Sequence, residues 1–222
     1  MMFADRSDAG RKLGRLLARF RDTKPVVLAL PRGGVEVAVE IAAALDAALD
    51  VILVRKIGVP GQPELAMGAV VDGGSPTIVR NEDILRVAGI GETSFDAVCR
   101  RELDEIERRR RVYVGGRRPT DVAGRVVIVV DDGIATGATV RAALQATRRR
   151  GPAKLVLAVP VAATDALERL RADTDDVVCL EANDRLGSVG AYYADFRQLT
   201  DADVIALLAR AHARASASQR AT

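Results

Sequence analysis

The stretch Val126-Val127-Ile128-Val129-Val130-Asp131-Asp132-Gly133-Ile134-Ala135-Thr136-Gly137-Ala138-Thr139 decides how this chain folds. Its first five residues are all β-branched, and two acids follow without a break. An apolar run of that length, bounded by turn residues, fits a strand buried on both faces. The acids then fall at its carboxyl end, where open α/β sheets bind ligands. The Gly/Thr/Ala loop opens a helical pattern from Val140 onward, so its backbone N–H groups and the helix dipole favour an anion. Two carboxylates beside such a cradle suit a phosphorylated sugar, with the acids on hydroxyls or a metal and the loop on phosphate. An ordinary strand–turn–helix unit with one capping acid needs neither the second acid nor Thr-Gly-Ala-Thr.

Those 14 residues resemble, without a gap, the phosphoribosyl diphosphate (PRPP) signature of the type I phosphoribosyltransferases: apolar residues, two acids, a short variable stretch, then Thr-Gly-x-Thr. The resemblance implies a transferase that uses PRPP and Mg²⁺ and releases pyrophosphate. It implies that Asp131 and Asp132 hold the ribose hydroxyls and help place Mg²⁺, directly or through water. Ala135, Thr136, Gly137, Ala138 and Thr139 would hold the 5-phosphate through backbone N–H groups and the two hydroxyls. Arg32, Gly33, Gly34, Arg55 and Lys56 would hold the diphosphate, and Asp131, Asp132 and Lys56 would be the catalytic set.

Outward from this stretch, strand and helix patterns alternate. Residues 7–21 carry Leu13, Leu16, Leu17 and Phe20 at helical spacing, with Asp5, Ser7 or Asp8 as possible caps and the arginines as a solvated face. Val26 to Leu30 reads as a buried strand, then Pro31-Arg32-Gly33-Gly34 opens a helix from Val35 to Leu45. Paired glycines allow close backbone approach, and an arginine forks onto phosphate oxygens. In the family this is the pyrophosphate loop, often with a non-proline cis peptide. Asp50 to Val54 is predicted as the next core strand, ending in Arg55-Lys56 at the same crevice.

Residues 57–80 change character. Leu65–Val71 and Thr77–Val79 read as a hairpin about Gly73-Gly74-Ser75-Pro76, and Glu64 is a candidate site acid. A short helix over 81–88 precedes a long one from Thr93 or Ser94 to Val112, laced by Glu105–Arg109 and Glu107–Arg111 pairs. Beyond the central stretch, Lys154–Val161 and Asp176–Leu180 complete about five strands. Regular alternation predicts an α/β, Rossmann-like parallel sheet with helices on both faces. The inserted hairpin and long helix occupy 57–115, after an N-terminal helix within 1–23. The family's acceptor-binding hood is expected within 183–213, including a last helix capped by Thr200-Asp201, with a tail over 214–222 that is disordered from Ser216. Tyr192 or Tyr193 could stack on an acceptor, or these aromatics could pack their loop onto the core; His212 is predicted to be exposed.

Composition bounds the partners. The net charge is +3 with pI near 9.1, which suits a polyanionic small molecule as well as nucleic acid. The run Arg108–Arg111 lacks accompanying aromatic platforms apart from Tyr113, so nucleic acid is not expected as a partner. No apolar run approaches the roughly 18 residues of a membrane helix, and the first residues carry no apolar signal region. Cys99 and Cys179 are far apart in sequence and fit buried thiols in a reducing cytoplasm.

One departure bears on the acceptor. In enzymes of 6-oxopurine salvage an Asp stands immediately before Thr-Gly; here that position is Ala135. The loop resembles instead the adenine phosphoribosyltransferases and the competence-type members, whose acceptors vary. The resemblance therefore implies a homodimeric nucleotide-salvage transferase acting on a nucleobase-like nitrogen acceptor. The alternative is a PRPP- or nucleotide-sensing regulator of the same fold without catalysis.

Overall fold

The strands in chain order are β1 (Val26–Ala29), β2 (Ala48–Val51), β3 (Val54–Val59), β4 (Gln62–Val71), β5 (Thr77–Arg80), β6 (Val126–Val130), β7 (Lys154–Ala163) and β8 (Asp176–Asn183). The helices are α1 (Arg6–Leu17), α2 (Gly33–Leu45), α3 (Glu82–Val87), α4 (Glu92–Val114), α5 (Ala138–Arg149), α6 (Thr164–Leu170) and α7 (Asp201–Arg220). The coordinates are a computed structural model describing residues 3–72 and 76–220, apart from the side chains of Glu64 and residues 215–220.

Five strands form a parallel sheet in the order β2-β1-β6-β7-β8. The β6 run is central, and Val127 through Val130 are fully buried, as continuous β-branched runs in parallel sheets are. Two apolar layers flank the sheet. One holds α1, α2 and α7 with Ile128 and Val130; the other holds α5 and α6 with Val127 and Val129. The alternating side chains of one strand thus feed both layers.

A second, antiparallel sheet, β3-β4-β5, stands apart. The expected hairpin strands are β4 and β5, paired Val71 with Thr77 through Gly68 with Arg80, and their turn at 73–75 lies outside the described residues. The predicted strand Asp50–Val54 is corrected. β2 ends at Val51, Ile52 and Leu53 cross over buried, and Val54 starts the small sheet, which carries Arg55 and Lys56 with it. Asp72 fixes this crossing: its Oδ1 accepts from Leu53 N (2.7 Å), its N donates to Leu53 O (2.9 Å), and Arg110 of α4 donates to Oδ2 (2.9 Å).

The N-terminal helix packs differently from the leucine stripe. Asp5 is its cap, accepting from Asp8 N at 2.6 Å. Leu16 is 50% exposed, and the buried face is Gly10, Leu13, Gly14 and Leu17. A Cβ at Gly10 would stand 2.5 Å from Val37 O, so the two glycines let α1 lie directly on α2. The long helix starts behind Gly91 with no side-chain cap, placing Thr93 and Ser94 inside its first turn. Both predicted pairs form, Arg109 to Glu105 at 2.7 Å and Arg111 to Glu107 at 3.3 Å, while Arg108 also meets Glu105 and Arg110 meets Asp72.

The terminal region is loop-like as expected up to residue 200 and departs from expectation after it. Residues 184–200 are irregular around a single 3₁₀ turn, Val189–Tyr192. Thr200 and Asp203 cap α7 reciprocally, Thr200 N donating to Asp203 Oδ2 and Asp203 N to Thr200 Oγ1. That helix continues to Arg220, through most of the predicted disordered tail. His212 is half-buried and meets Leu49 O at 3.2 Å, and burial lowers its pKa. Cys99 is buried, Cys179 partly so, and both are free thiols.

Candidate functional site

The acids lie where β6 ends, one strand over from the end of β1. Leu30 N donates to Val130 O (2.9 Å) and Gly34 N to Leu30 O (3.1 Å), drawing residues 31–34 across the acid pair. The Pro31–Arg32 peptide is cis. A Cβ at Gly33 would overlap the Asp132 carboxyl, and one at Gly34 would stand 2.7 Å from Val130 O. The paired glycines do permit a close approach, but what approaches them here is the acid pair itself.

Asp131 and Asp132 are electrostatically unequal. Burial raises the Asp131 pKa well above the usual carboxylate range, and the neighbouring Asp132 charge raises it further; Asp132 N donates to Asp131 Oδ1 at 2.9 Å. Asp132 instead has a cation: Arg6 Nε donates to its Oδ2 at 2.7 Å. Arg6 is 5% exposed. Its Nη1 donates to Arg197 O (3.0 Å), and its guanidinium lies 3.8 Å from the Phe196 ring centre.

After the acids the chain turns back to the sheet. Ile134 N donates to Val161 O and Ala163 N to Ile134 O, each at 2.9 Å, extending the pairing with β7. This anchor projects Ala135 to Thr139 beyond the sheet edge. Gly137 has φ +80, a left-handed conformation that other residues rarely adopt, and it is the N-cap of α5. Neither a side-chain cap nor a first-turn acid covers that terminus. Its leading N–H groups have no partner within the helix and so suit an anion.

The small sheet brings Lys56, but not Arg55, to this loop. A cavity of about 630 Å³ separates Thr136–Thr139 and the start of α5 from β3–β5, with Lys56, Arg80, Arg141 and Arg169 on its walls. Successive strand residues face opposite ways. Arg55 accordingly turns to α4, where its Nε donates to Glu102 at 2.7 Å. Lys56 thus lines this cavity without Arg55, while both residues border a second cavity beside Gly58, Gly61 and Glu102. Arg32, Asp131 and Asp132 do not line this cavity.

Of the aromatic candidates, Tyr193 is a packing residue, 5% exposed between Phe3 and Phe196. Its hydroxyl donates to the Asp132 carbonyl at 2.5 Å, and burial, then the Asp132 charge, push its pKa up. No ring face is left for an acceptor. Tyr192 is half-buried, and its carbonyl accepts from Phe3 N at 2.7 Å. The Glu64 side chain lies outside the described residues. Sequence reasoning gave Arg6 and Val189 no role. Val189 sits against Gly133 so closely that a Cβ on Gly133 would overlap it. Nothing local marked Arg6; the only clue was a second acid in need of a cation.

Residues 4–196 match the phosphoribosyl transferase domain family, and the chain belongs to that family. Two relatives from Mycobacterium tuberculosis, strains CDC 1551 / Oshkosh and ATCC 25618 / H37Rv, are each 46% identical over 211 residues and bear a provisional phosphoribosyl transferase name. They align with 95% of this chain but 47% of their own length, so the chain spans about half of the curated relatives it matches. A crystal structure of a Thermus thermophilus protein is 45% identical, covering 95% of this chain and 99% of that one, with TM-score 0.79. An Aquifex aeolicus protein, 11% identical with TM-score 0.51 over 80% of this chain and 74% of that one, shares the fold alone. Among the described residues no helix is long and apolar enough to cross a membrane.

Proposed function

We propose that this chain binds Mg²⁺-complexed PRPP and transfers its phosphoribosyl group to a nitrogen of a small nucleobase-like acceptor, releasing pyrophosphate. The observation that carries the reading is a meeting of parts at the adjoining ends of β1 and β6. An acid pair lies there between two helix-opening, glycine-bearing loops, residues 31–34 and 135–139. In this reading the N–H groups opening α5, with the Thr136 and Thr139 hydroxyls, hold the 5-phosphate, and Arg32, Gly33 and Gly34 hold the diphosphate. Asp131, aided by Asp132, accepts from the ribose hydroxyls. Lys56 reaches the donor from the small sheet, whose closure would exclude water. The bond from C1 to the diphosphate oxygen breaks, its electron pair leaves with pyrophosphate, and the acceptor nitrogen bonds to C1 as its proton passes to solvent or to the departing pyrophosphate. Positioning and charge stabilisation supply the acceleration.

The donor set fits Mg²⁺ in one particular way. Among the described residues no three His, Cys, Asp or Glu side chains group to hold a metal. Mg²⁺ commonly needs only one or two carboxylates plus substrate phosphates, and Asp131 and Asp132 offer those. When bound, the ion would offset charge building on the leaving diphosphate. Ala135 has no proton to exchange with a purine, which favours acceptors other than 6-oxopurines. A homodimer and a cytoplasmic salvage role belong to the same proposal.

Isothermal titration with PRPP, with and without Mg²⁺, followed by a pyrophosphate-release screen over bases, tests it. Tight Mg²⁺-dependent PRPP binding with release for at least one base is expected. Binding without release for any base would favour a PRPP-sensing regulator, and no PRPP binding would overturn both readings.

A further inference from the structure

Asp132 is held from three directions, and two of them lead to segments far from it in sequence. Gly33 closes one side of its carboxyl, since any Cβ there would overlap it. Arg6 takes Oδ2 at 2.7 Å, and the Tyr193 hydroxyl takes the Asp132 carbonyl at 2.5 Å. The segments that supply Arg6 and Tyr193 are stitched together. Phe3 N donates to Tyr192 O (2.7 Å), Ala194 N to Phe3 O (2.8 Å) and Asp195 N to Ala4 O (2.9 Å). Phe3, fully buried, and Phe196 pack on either side of Tyr193, with ring centres 5.3 and 5.0 Å away.

Arg6 is built into this clasp. A buried guanidinium is costly unless its charge and donors are met. Here the Asp132 carboxylate, the Arg197 carbonyl and the Phe196 ring face meet it. Three restraints on one side chain describe a fixed element, not a gate. Because Arg6 engages Oδ2 alone, it sets the direction of the carboxyl and adds positive charge beside two adjoining acids.

We propose that Arg6 is a positioning residue for the donor site. It fixes the Asp132 carboxyl, eases repulsion within the acid pair and ties the pair to residues 189–197, which lie over Gly133. The ribose-binding geometry therefore depends on an arginine about 126 residues upstream, outside every recognisable motif. This inference rests on the reading of Asp131 and Asp132 as the PRPP acids.

The test measures Mg²⁺·PRPP affinity by titration calorimetry and melting temperature together, on Arg6→Ala, Arg6→Lys and Phe3→Leu. One charged hydrogen bond of ordinary strength corresponds to about a tenfold change in affinity. Arg6→Ala should therefore raise Kd about tenfold or more at temperatures where it is fully folded, and millimolar guanidinium should recover part of the loss. Arg6→Lys keeps the charge without the fork and should fall between. Phe3→Leu loosens the same clasp without touching Asp132, so it should lower the melting temperature and leave Kd near the wild-type value. If folded Arg6→Ala bound like wild type, or Phe3→Leu weakened binding as much as Arg6→Lys, the positioning role would be wrong. Should Arg6→Ala not fold, the comparison of Arg6→Lys with Phe3→Leu decides. Absence of PRPP binding by the wild type would instead overturn the donor-site reading, with the positioning role falling alongside it.

Discussion

Asp72→Asn should make the protein more stable at neutral pH, although it breaks an ion pair. Asp72 is 7% exposed where the two sheets join. Burial pushes its carboxyl up to about 6 from 3.8, while the Leu53 N–H and Arg110 pull the other way without winning. The folded state therefore binds this proton more tightly than the unfolded chain. Its stability contribution is full below pH 3.8 and is lost as pH rises to about 6. The interval of about two pH units corresponds to roughly 3 kcal/mol at 1.36 kcal/mol per unit. Asparagine, like the protonated acid, carries no charge, and its Oδ1 still accepts from Leu53 N; its Nδ2, a donor, no longer accepts from Arg110. The variant should exceed wild type by up to about 3 kcal/mol at pH 7, a difference that shrinks to near zero by about pH 4. Paired urea melts across that range measure this, because groups common to both proteins cancel in the difference. A variant less stable than wild type at pH 7, with a gap that did not change with pH, would show that the Arg110 pair outweighs desolvation and would refute the reasoning.

Two further outcomes probe the packing around the acids. Gly34→Ala places a methyl 2.7 Å from Val130 O and should destabilise by about 1–3 kcal/mol as an overpacking change, read as a lower melting temperature. Tyr193→Phe leaves the ring cluster intact but removes the hydroxyl from the Asp132 carbonyl; urea unfolding should report a loss of about 1–2 kcal/mol.

Local pattern revealed the five core strands because a buried parallel strand announces itself as an unbroken β-branched run, and Val126–Val130 is such a run. The same rule misled at Val51-Ile52-Leu53-Val54. Burial there is continuous, but the chain is leaving one sheet for another, and apolar periodicity carries no information about which sheet receives a residue. That one crossing moved Arg55 and Lys56 onto the small sheet, where Arg55 meets Glu102 and Lys56 faces the loop over 135–139 across a cavity. On α1, a scheme that counts leucines gives no weight to Gly10 and Gly14, whose missing side chains determine the face that packs. The acid pair, the loop over 135–139 and the paired glycines were legible because each lies within one strand–loop–helix unit. Arg6 was not, since its contacts lie 126 and 191 residues away in sequence. For Tyr193 the plain reading, an aromatic packing its loop onto the core, is the one the structure bears out.

The most direct measurement of the central proposal is Mg²⁺·PRPP binding to Asp131→Asn/Asp132→Asn beside wild type, by titration calorimetry, with circular dichroism to check the fold. Removing both carboxylates should take away the acceptors for the ribose hydroxyls and the ion, weakening binding by about a hundredfold or more, since each charged hydrogen bond is worth about 1.5–3 kcal/mol. A folded double variant that bound Mg²⁺·PRPP as tightly as wild type would contradict the assignment of this acid pair to the donor.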